Sequence, residues 1–141
     1  MDNNCIFCKI IKKELESKII YEDQNVISFL DINPHTIAHT VVIPKKHYST
    51  ILDLSNDDIL QLFSGLQKVV DLIKKTINPD GFNIGINHGR VAGQVIDHLH
   101  IHVLPRFFND GGGSIHSIIF NKPKESLDEI YEKIKKYGNR S

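Results

Sequence analysis

The sequence predicts an α+β domain in which an antiparallel sheet packs against one long helix. Strand-like segments follow one another through short turns, and a single long helical pattern separates the early strands from the later ones. Short connections favour antiparallel pairing, because parallel strands need long crossovers. The 141 residues are enough to bury a hydrophobic core, and we expect one domain spanning 1–141.

The first part of the chain predicts one short helix and three strands. Apolar residues at helical spacing indicate a helix over 5–14. Alternating or β-branched runs then predict strands over 18–21, 26–31 and 39–43. The third strand stops at Pro44, which cannot continue a ladder of hydrogen bonds.

The second part predicts the long helix, a hairpin and a closing helix. Ser55 followed by Asp58 has the form of a capping box, and apolar residues continue at helical spacing until Asn78. A strand over 82–87 and the histidine-rich run after it form the expected hairpin. An amphipathic pattern predicts the last helix over 126–137.

The most informative segment is the run 97–105, where histidine and aliphatic residues alternate with a period of two. The three histidines are His98, His100 and His102, and the aliphatic residues between and after them are Leu99, Ile101 and Val103. Successive side chains of a strand point to opposite faces, so the aliphatic residues enter a core and the histidines line the other surface. Histidine has weak strand propensity, so this pattern indicates chemistry.

Composition narrows the classes of partner. Seventeen Lys and Arg balance seventeen Asp and Glu, and the basic residues are scattered. This argues against a nucleic-acid partner or an anionic membrane surface. The start of the chain lacks the pattern of a signal peptide, and no segment is apolar enough to span a bilayer. We therefore expect a cytoplasmic protein that acts on small solutes or proteins.

The spacing of Cys5 and Cys8 indicates a metal site or a redox motif, because a structural disulfide is rare in a reducing compartment. No strand precedes Cys5, which disfavours a thioredoxin-like motif. His47 and His98 would complete a tetrahedral Cys2His2 set. A closed set of four ligands leaves no open position for water, so we expect Zn²⁺ in a structural role.

The three histidines of the run are expected to have different roles. Positions i and i+4 of a strand are about 13 Å apart, too far for His98 and His102 to share one metal ion. A nucleophilic His100 would need one ring nitrogen held protonated by an acceptor, which leaves a lone pair on the other. A metal-dependent hydrolase is a weaker alternative, because no acidic third ligand is evident beside the histidines.

Two other segments are candidate binding elements. The loop over 87–94 contains glycines and amides that suit an anion, although an ordinary turn would also explain them. Asp31 follows a strand and suits a ribose diol, or equally the cap of a turn. Among the remaining histidines, His39 is the best candidate for a structural hydrogen bond. The four remaining histidines are expected to lie at the surface or to pack against other residues; they are His35, His39, His88 and His116.

With these residues in view, the chain resembles the histidine triad (HIT) superfamily, and in particular bacterial members of its Hint-type branch that carry a zinc-binding cysteine pair. The matching segments are 5–11, 29–34, 42–47, Asn87 with Gly93 and Gln94, and 98–105. The resemblance implies a HIT-like fold, with a five-stranded antiparallel sheet, one long helix and a shorter C-terminal helix. It also implies a homodimer in which two sheets join, with one nucleotide pocket in each subunit.

The resemblance also implies roles for individual residues. His100 would attack the α-phosphate of a purine nucleotide, an AMP or GMP derivative, while His102 and Gln94 would assist catalysis. The implied nucleotide-binding residues are Ile6, Phe7, Ile10, Phe29, Asp31, Ile32, Asn87, Gly93, Gln94, Val95, His100 and His102. The implied zinc ligands are Cys5, Cys8, His47 and His98. Val95 departs from the Ser or Thr of many relatives and offers only its backbone N–H.

The favoured function is hydrolysis of nucleoside 5′-phosphoramidates, or related α-substituted nucleoside monophosphates, through a covalent nucleotidyl-histidine. A dinucleoside polyphosphate hydrolase or a nucleotidyltransferase would need the same nucleophile. A zinc-stabilised nucleotide-binding or scaffold protein with incidental activity is the alternative from another class, and Val95 is the feature in its favour.

Overall fold

A computed structural model describes residues 2–138 of the chain. Met1 and residues 139–141, which the predicted domain 1–141 includes, lie outside the described residues. The helices are α1 (Ile6–Ile11), α2 (Asn56–Ile77) and α3 (Leu127–Gly138), and the strands are β1 (Ile19–Glu22), β2 (Val26–Leu30), β3 (Thr40–Pro44), β4 (Gly81–Gly85) and β5 (Ile101–Arg106).

The five strands form one antiparallel sheet in the order β1-β2-β3-β5-β4. The strands β2 and β3 pair along their full length, from Val26 opposite Pro44 to Leu30 opposite Thr40. The predicted hairpin is the pair β4 and β5, with Gly85 opposite His102. The α+β class, the antiparallel sheet and the two helices after β3 are therefore confirmed.

The long helix α2 begins and ends where the sequence indicates. The Ser55 hydroxyl accepts from the Asp58 backbone N–H at 3.1 Å, and the Asp58 carboxylate reaches back to Ser55. The helix ends at Ile77 and is capped by Asn78, whose φ of 51° is left-handed, and Pro79 follows. Gly65 allows close packing on the sheet, because a Cβ there would lie 2.9 Å from Val26 Cγ1.

The sheet is covered on both faces. One buried cluster lies between the sheet and α2 and consists of Val26, Val42, Leu62, Leu66, Val69, Ile73, Leu99, Ile101 and Val103. The second cluster joins α1 to the other face and consists of Cys5, Phe7, Cys8, Ile10, Ile27, Phe29, Val41 and Ile43. The alternation predicted for the aliphatic residues of 97–105 is confirmed, and the opposite face lies beneath α1.

Most predicted bounds agree with the structure within two residues, but two elements differ by more. The first helix ends at Ile11, well before the predicted residue 14, and Lys13 has a positive φ of 63°. The predicted histidine strand begins only at Ile101. Pairing with β4 stops at His102, which lies opposite Gly85, and pairing with β3 stops at Ile101, so the residues before Ile101 have no strand partner in this sheet. His98 and His100 therefore lie just before β5, where the prediction placed them within the strand, and both are buried.

The last described segment lies apart from both clusters. None of the residues described in α3 is buried, although the helix is amphipathic. Within residues 2–138, no helix has both the length and the apolar character needed to cross a membrane.

Candidate active site and metal centre

The short helix α1 brings its two cysteines to one side. Cys5 is the N-cap, and its sulfur accepts from the Cys8 backbone N–H at 3.4 Å, so both thiols point towards the same buried space. Burial is the main cause that raises the pKa of the Cys5 thiol. A divalent ion would reverse this effect, because metal coordination stabilises the thiolate.

Two histidines from distant parts of the chain meet the cysteines. The Cys8 sulfur lies 3.3 Å from His47 Nδ1 and 3.7 Å from His98 Nδ1, and the Cys5 sulfur lies 3.5 Å from His98 Nδ1. All four donor atoms lie within 4.8 Å of one another. Ligands bound tetrahedrally to Zn²⁺ at about 2.0 to 2.3 Å are about 3.5 Å apart, so these residues fit the ion.

The ring of His98 is already oriented for a metal. Its Nε2–H donates to the Pro44 carbonyl at 2.9 Å, which leaves the Nδ1 lone pair facing the sulfurs. Burial lowers the pKa of His98 to about 4, so the ring is neutral at physiological pH and needs to lose no proton. The arrangement can therefore hold Zn²⁺ with four protein ligands.

His100 has the tautomer that a nucleophile requires. Its Nδ1 lies 2.7 Å from the main-chain carbonyl of His98, and a carbonyl oxygen can only accept. Nδ1 therefore carries the proton, and Nε2 keeps its lone pair. The Phe7 ring packs against His100 with centroids 5.2 Å apart. His100 is thus held by both a hydrogen bond and an aromatic contact.

His102 has the opposite tautomer. The His35 backbone N–H donates to His39 Nδ1 at 3.1 Å, so a neutral His39 carries its proton on Nε2. His39 Nε2 lies 3.0 Å from His102 Nδ1 and donates to it. His102 therefore keeps its own proton on Nε2, opposite the atom that accepts. The structural hydrogen bond expected of His39 is confirmed.

Asp31 completes this group. Its carboxylate lies 3.5 Å from His39 Nε2, and its backbone N–H donates to the His39 carbonyl at 2.9 Å. Asp31, His39 and His102 form a second cluster whose ligand atoms lie within 4.8 Å. The sequence beside the histidines shows no acidic third ligand, but strand pairing brings Asp31, from the end of β2, close to His39 and His102. The hydrogen bond between the two rings accounts for this cluster without an ion.

The loop before the histidines is held by its own polar groups. The Gln94 Oε1 accepts from the Gly89 backbone N–H at 2.9 Å, and its Nε2 donates to the Ser49 carbonyl at 2.8 Å. Gly93 has a φ of 100°, and a Cβ there would lie 3.2 Å from the Asn87 amide nitrogen. Glycine is therefore required at Gly93. The role of Gln94 at a phosphate stays a prediction.

The other residues predicted to bind a nucleotide fall into two groups. Phe7 and Ile10 on the inner side of α1 and Phe29 on β2 are buried, whereas Ile32 is 87% exposed and Val95 is 92% exposed. Ile6 lies on the open side of α1 and is half exposed. A pocket of about 450 Å³ opens beside Asp31, and its lining residues are Leu30, Asp31, Pro34, His35, Thr36, Ile37, Ala38 and His39.

The burial of His102 predicts a pH dependence of stability. Burial, followed by the charges of His100 and His39, lowers the pKa of His102 from 6.5 to about 4. Between these values the unfolded chain binds a proton that the native chain does not, so the free energy of unfolding falls as the pH drops from about 6.5 to about 4. Urea unfolding across this range will be less pH-dependent in His102→Gln. Equal slopes in the two proteins would contradict this assignment.

Comparison with known proteins identifies the family. A model of the HIT domain matches residues 12–109. An uncharacterised HIT-like protein of Methanocaldococcus jannaschii is 44% identical over 93% of this chain and 98% of its own. An adenosine 5′-monophosphoramidase of Candida albicans is 37% identical over 94% and 90% of the two chains. An adenylylsulfatase of Arabidopsis thaliana is 39% identical over 75% of this chain and 54% of its own.

Solved structures agree with this assignment. A HIT family protein from Bacillus anthracis superposes with a TM-score of 0.85 at 35% identity, covering 100% of this chain and 99% of its own. A Zn-bound histidine triad family protein from Mycobacterium smegmatis has a TM-score of 0.72 at 32% identity, covering 86% and 84%. The chain belongs to the HIT family, and its buried cysteine pair beside two histidines fits a zinc-binding member.

Proposed function

We propose that this protein hydrolyses nucleoside 5′-phosphoramidates, or related α-substituted nucleoside monophosphates, with His100 as the nucleophile. The observation that carries the proposal is the 2.7 Å contact between His100 Nδ1 and the His98 carbonyl. This contact places the proton on Nδ1 and leaves the Nε2 lone pair for attack. The names of the Candida and Arabidopsis relatives support hydrolysis at the α-phosphate of adenosine nucleotides.

The reaction has two steps. His100 Nε2 attacks the α-phosphorus, a bond forms between nitrogen and phosphorus, and the bond to the leaving amine breaks as the amine takes up a proton from solvent. Water then attacks the same phosphorus and gives up a proton to solvent, the bond to His100 breaks with return of its electron pair to Nε2, and the nucleoside monophosphate leaves. A phosphoramidate adduct suits this chemistry because it is labile enough to hydrolyse.

His102 supports the first step as a hydrogen-bond donor. Its pKa of about 4 keeps the ring neutral at physiological pH, and its Nε2 carries the proton. It therefore stabilises phosphate oxygens or the leaving group through a neutral N–H. The loop over 87–94, which includes Asn87, is proposed to contact the phosphate. Asp31 is proposed to bind the ribose hydroxyls. Phe7 and its apolar neighbours are proposed to contact the base of an AMP or GMP derivative.

The Cys2His2 centre is proposed to hold a structural Zn²⁺. The donor separations of 3.3 to 3.7 Å fit a tetrahedral ion, and the four ligands are Cys5, Cys8, His47 and His98. When bound, Zn²⁺ neutralises the thiolates and ties α1 to the chain beside β5. Since four protein ligands close the coordination shell, no catalytic step passes through this site.

Two other activities share the nucleophile. A dinucleoside polyphosphate hydrolase or a nucleotidyltransferase would form the same adduct, and only the leaving group or the acceptor differs. The binding or scaffold alternative is favoured by Val95, which lacks a hydroxyl and is 92% exposed. Loss of one donor at a phosphate costs on the order of a hundredfold in rate, so weak turnover alone would not separate these functions.

The direct test is release of AMP from adenosine 5′-phosphoramidate by the purified protein. Catalytic turnover well above the rate in buffer supports the hydrolase. If the protein binds AMP tightly and releases none from the substrate, the binding function replaces hydrolysis for this substrate class.

His39 is expected to act as a positioning residue, because its Nε2–H fixes the tautomer of His102. We expect His39→Ala to lower kcat by about tenfold to a hundredfold while AMP affinity changes little. His39→Gln keeps an N–H donor and should restore part of the rate. His35→Ala is the matched control, since it retains the backbone N–H that His39 accepts. A rise in KM without a fall in kcat would contradict this role.

A homodimer is also proposed. The strand β4 lies at the end of the sheet, and Ile84 on it is 43% exposed. Pairing of two β4 edges would join the two sheets and bury Ile84. We expect Ile84→Lys to weaken the dimer and Lys68→Ala, an exposed change on α2, to leave it intact. Light scattering after gel filtration measures both, and a monomeric wild type would contradict the proposal.

A further inference from the structure

We propose that α1 and the main chain of His98 couple the metal centre to the nucleotide pocket, so that Zn²⁺ and a nucleotide strengthen each other's binding. The inference rests on the proposed function, because it requires that His100 and α1 border a nucleotide. It assigns a regulatory role to a centre whose ligand set otherwise indicates only structural support.

His98 belongs to both sites. Its ring faces the cysteines through Nδ1, at 3.5 Å from Cys5 and 3.7 Å from Cys8, and donates through Nε2 to Pro44. Its carbonyl oxygen accepts the His100 Nδ1–H at 2.7 Å. The residue that presents a metal ligand therefore also carries the acceptor that sets the tautomer of the nucleophile. We expect a displacement of the His98 main chain on loss of the metal to move this carbonyl relative to His100.

The helix α1 makes a second connection. Phe7 lies between the two cysteines in sequence, and its ring centroid is 5.8 Å from the His98 ring and 5.2 Å from the His100 ring. The same ring is proposed to form part of the wall around the base. One side chain thus contacts both His98 and His100, and in the proposed function it also borders the nucleotide.

The length of α1 makes its position sensitive to the metal. The helix has six residues, and helices this short are not stable in isolation. Its described anchors are the buried apolar cluster beneath it and the contacts of its cysteines with His47 and His98. Without a bound cation the cysteines are protonated, and a thiol S–H is only a weak hydrogen-bond donor to the imidazole nitrogens beside it.

Linkage sets the form of the expected effect. If Zn²⁺ raises the affinity for a nucleotide by some factor, the nucleotide must raise the affinity for Zn²⁺ by the same factor. Couplings of this kind are usually between about fivefold and 150-fold, and we expect about tenfold because the apolar cluster holds α1 in part. A value of one means that the two sites are independent.

The experiment measures both sides of this linkage with AMP and Zn²⁺. Calorimetry gives the Kd of AMP for zinc-loaded and for chelator-treated protein, and a competing zinc indicator gives the Kd of Zn²⁺ with and without saturating AMP. Circular dichroism verifies that each sample is folded. Nitrogen NMR of labelled histidines reports whether His100 keeps its proton on Nδ1 when the metal is removed.

The proposal predicts AMP binding that is about tenfold weaker without Zn²⁺, an equal change in Zn²⁺ affinity, and a mixed tautomer of His100 in the metal-free protein. Equal AMP affinity in the two folded states would overturn it. Unfolding on removal of Zn²⁺ would overturn it as well, because the metal would then hold the entire fold. If zinc-loaded protein binds no AMP, the nucleotide pocket itself is wrong and the coupling fails with it.

A substitution outside α1 provides a second test of the coupling between the metal centre and the nucleotide pocket. His47→Gln removes a ligand that belongs neither to α1 nor to the segment 98–100, and it leaves the other three ligands in place. We expect AMP affinity of this variant to rise as Zn²⁺ is added to the concentration that fills the weakened site. AMP affinity that stays constant across that titration would overturn the coupling.

Discussion

His100→Ala is expected to abolish AMP release while AMP binding persists. The substitution removes the Nε2 lone pair together with the ring whose Nδ1 proton is fixed by the His98 carbonyl at 2.7 Å. Loss of a covalent nucleophile costs at least about 10³-fold in kcat, and often far more. Binding should persist because Asp31, Asn87 and the apolar residues of α1 are unchanged. Turnover measured by AMP release and affinity measured by calorimetry provide the two readouts.

The control for this prediction is another histidine. His116 is exposed and lies outside both histidine clusters, so His116→Ala should retain wild-type kcat. Thermal unfolding of His100→Ala shows whether the buried site still folds, because His100 is only 7% exposed. A folded His100→Ala protein with more than a few per cent of wild-type turnover would contradict the assignment of the nucleophile.

Cys8→Ser is expected to produce the largest loss of stability. Cys8 is fully buried, and its sulfur lies close to both His47 and His98, so the substitution removes a proposed metal ligand that contacts both histidines. Structural zinc sites contribute strongly to folding, and we expect a loss of about 3 kcal/mol or more in the free energy of unfolding. Zinc content by mass spectrometry and urea unfolding measure the two consequences.

Chelation isolates the contribution of the metal. In the presence of a strong chelator neither protein can hold zinc, so most of the stability difference between wild type and Cys8→Ser should disappear. The part that remains reports the cost of a hydroxyl in the buried site. A difference that is equally large with and without chelator would show that Cys8 acts by packing alone.

Most of the fold follows from local patterns. The capping box at Ser55, the stop at Asn78 and the alternation of Leu99, Ile101 and Val103 each have a direct physical cause in the residues concerned. The bounds of β5 do not follow from a local pattern, because they depend on where β3 and β4 stop pairing with this strand. Burial of His98 and His100 depends on α1, whose position over the sheet is a tertiary property.

The candidate site follows from the sequence only in part. The four cysteine and histidine ligands could be grouped because few residue types bind zinc, and their count matched a tetrahedral site. The grouping of Asp31, His39 and His102 could not be predicted from the sequence, because it brings the ends of β2 and β3 to β5. The direction of each proton in the His39 and His102 pair likewise requires the backbone N–H of His35.

The central claim is covalent catalysis by His100, and the most direct test is the mass of the intact protein. Wild-type and His100→Ala proteins are mixed with adenosine 5′-phosphoramidate and quenched within milliseconds to seconds. The proposed reaction predicts a transient mass increase equal to one adenylyl group in wild type and no increase in His100→Ala. AMP release by wild type with no adduct at any quench time, or an adduct that persists in His100→Ala, would contradict it.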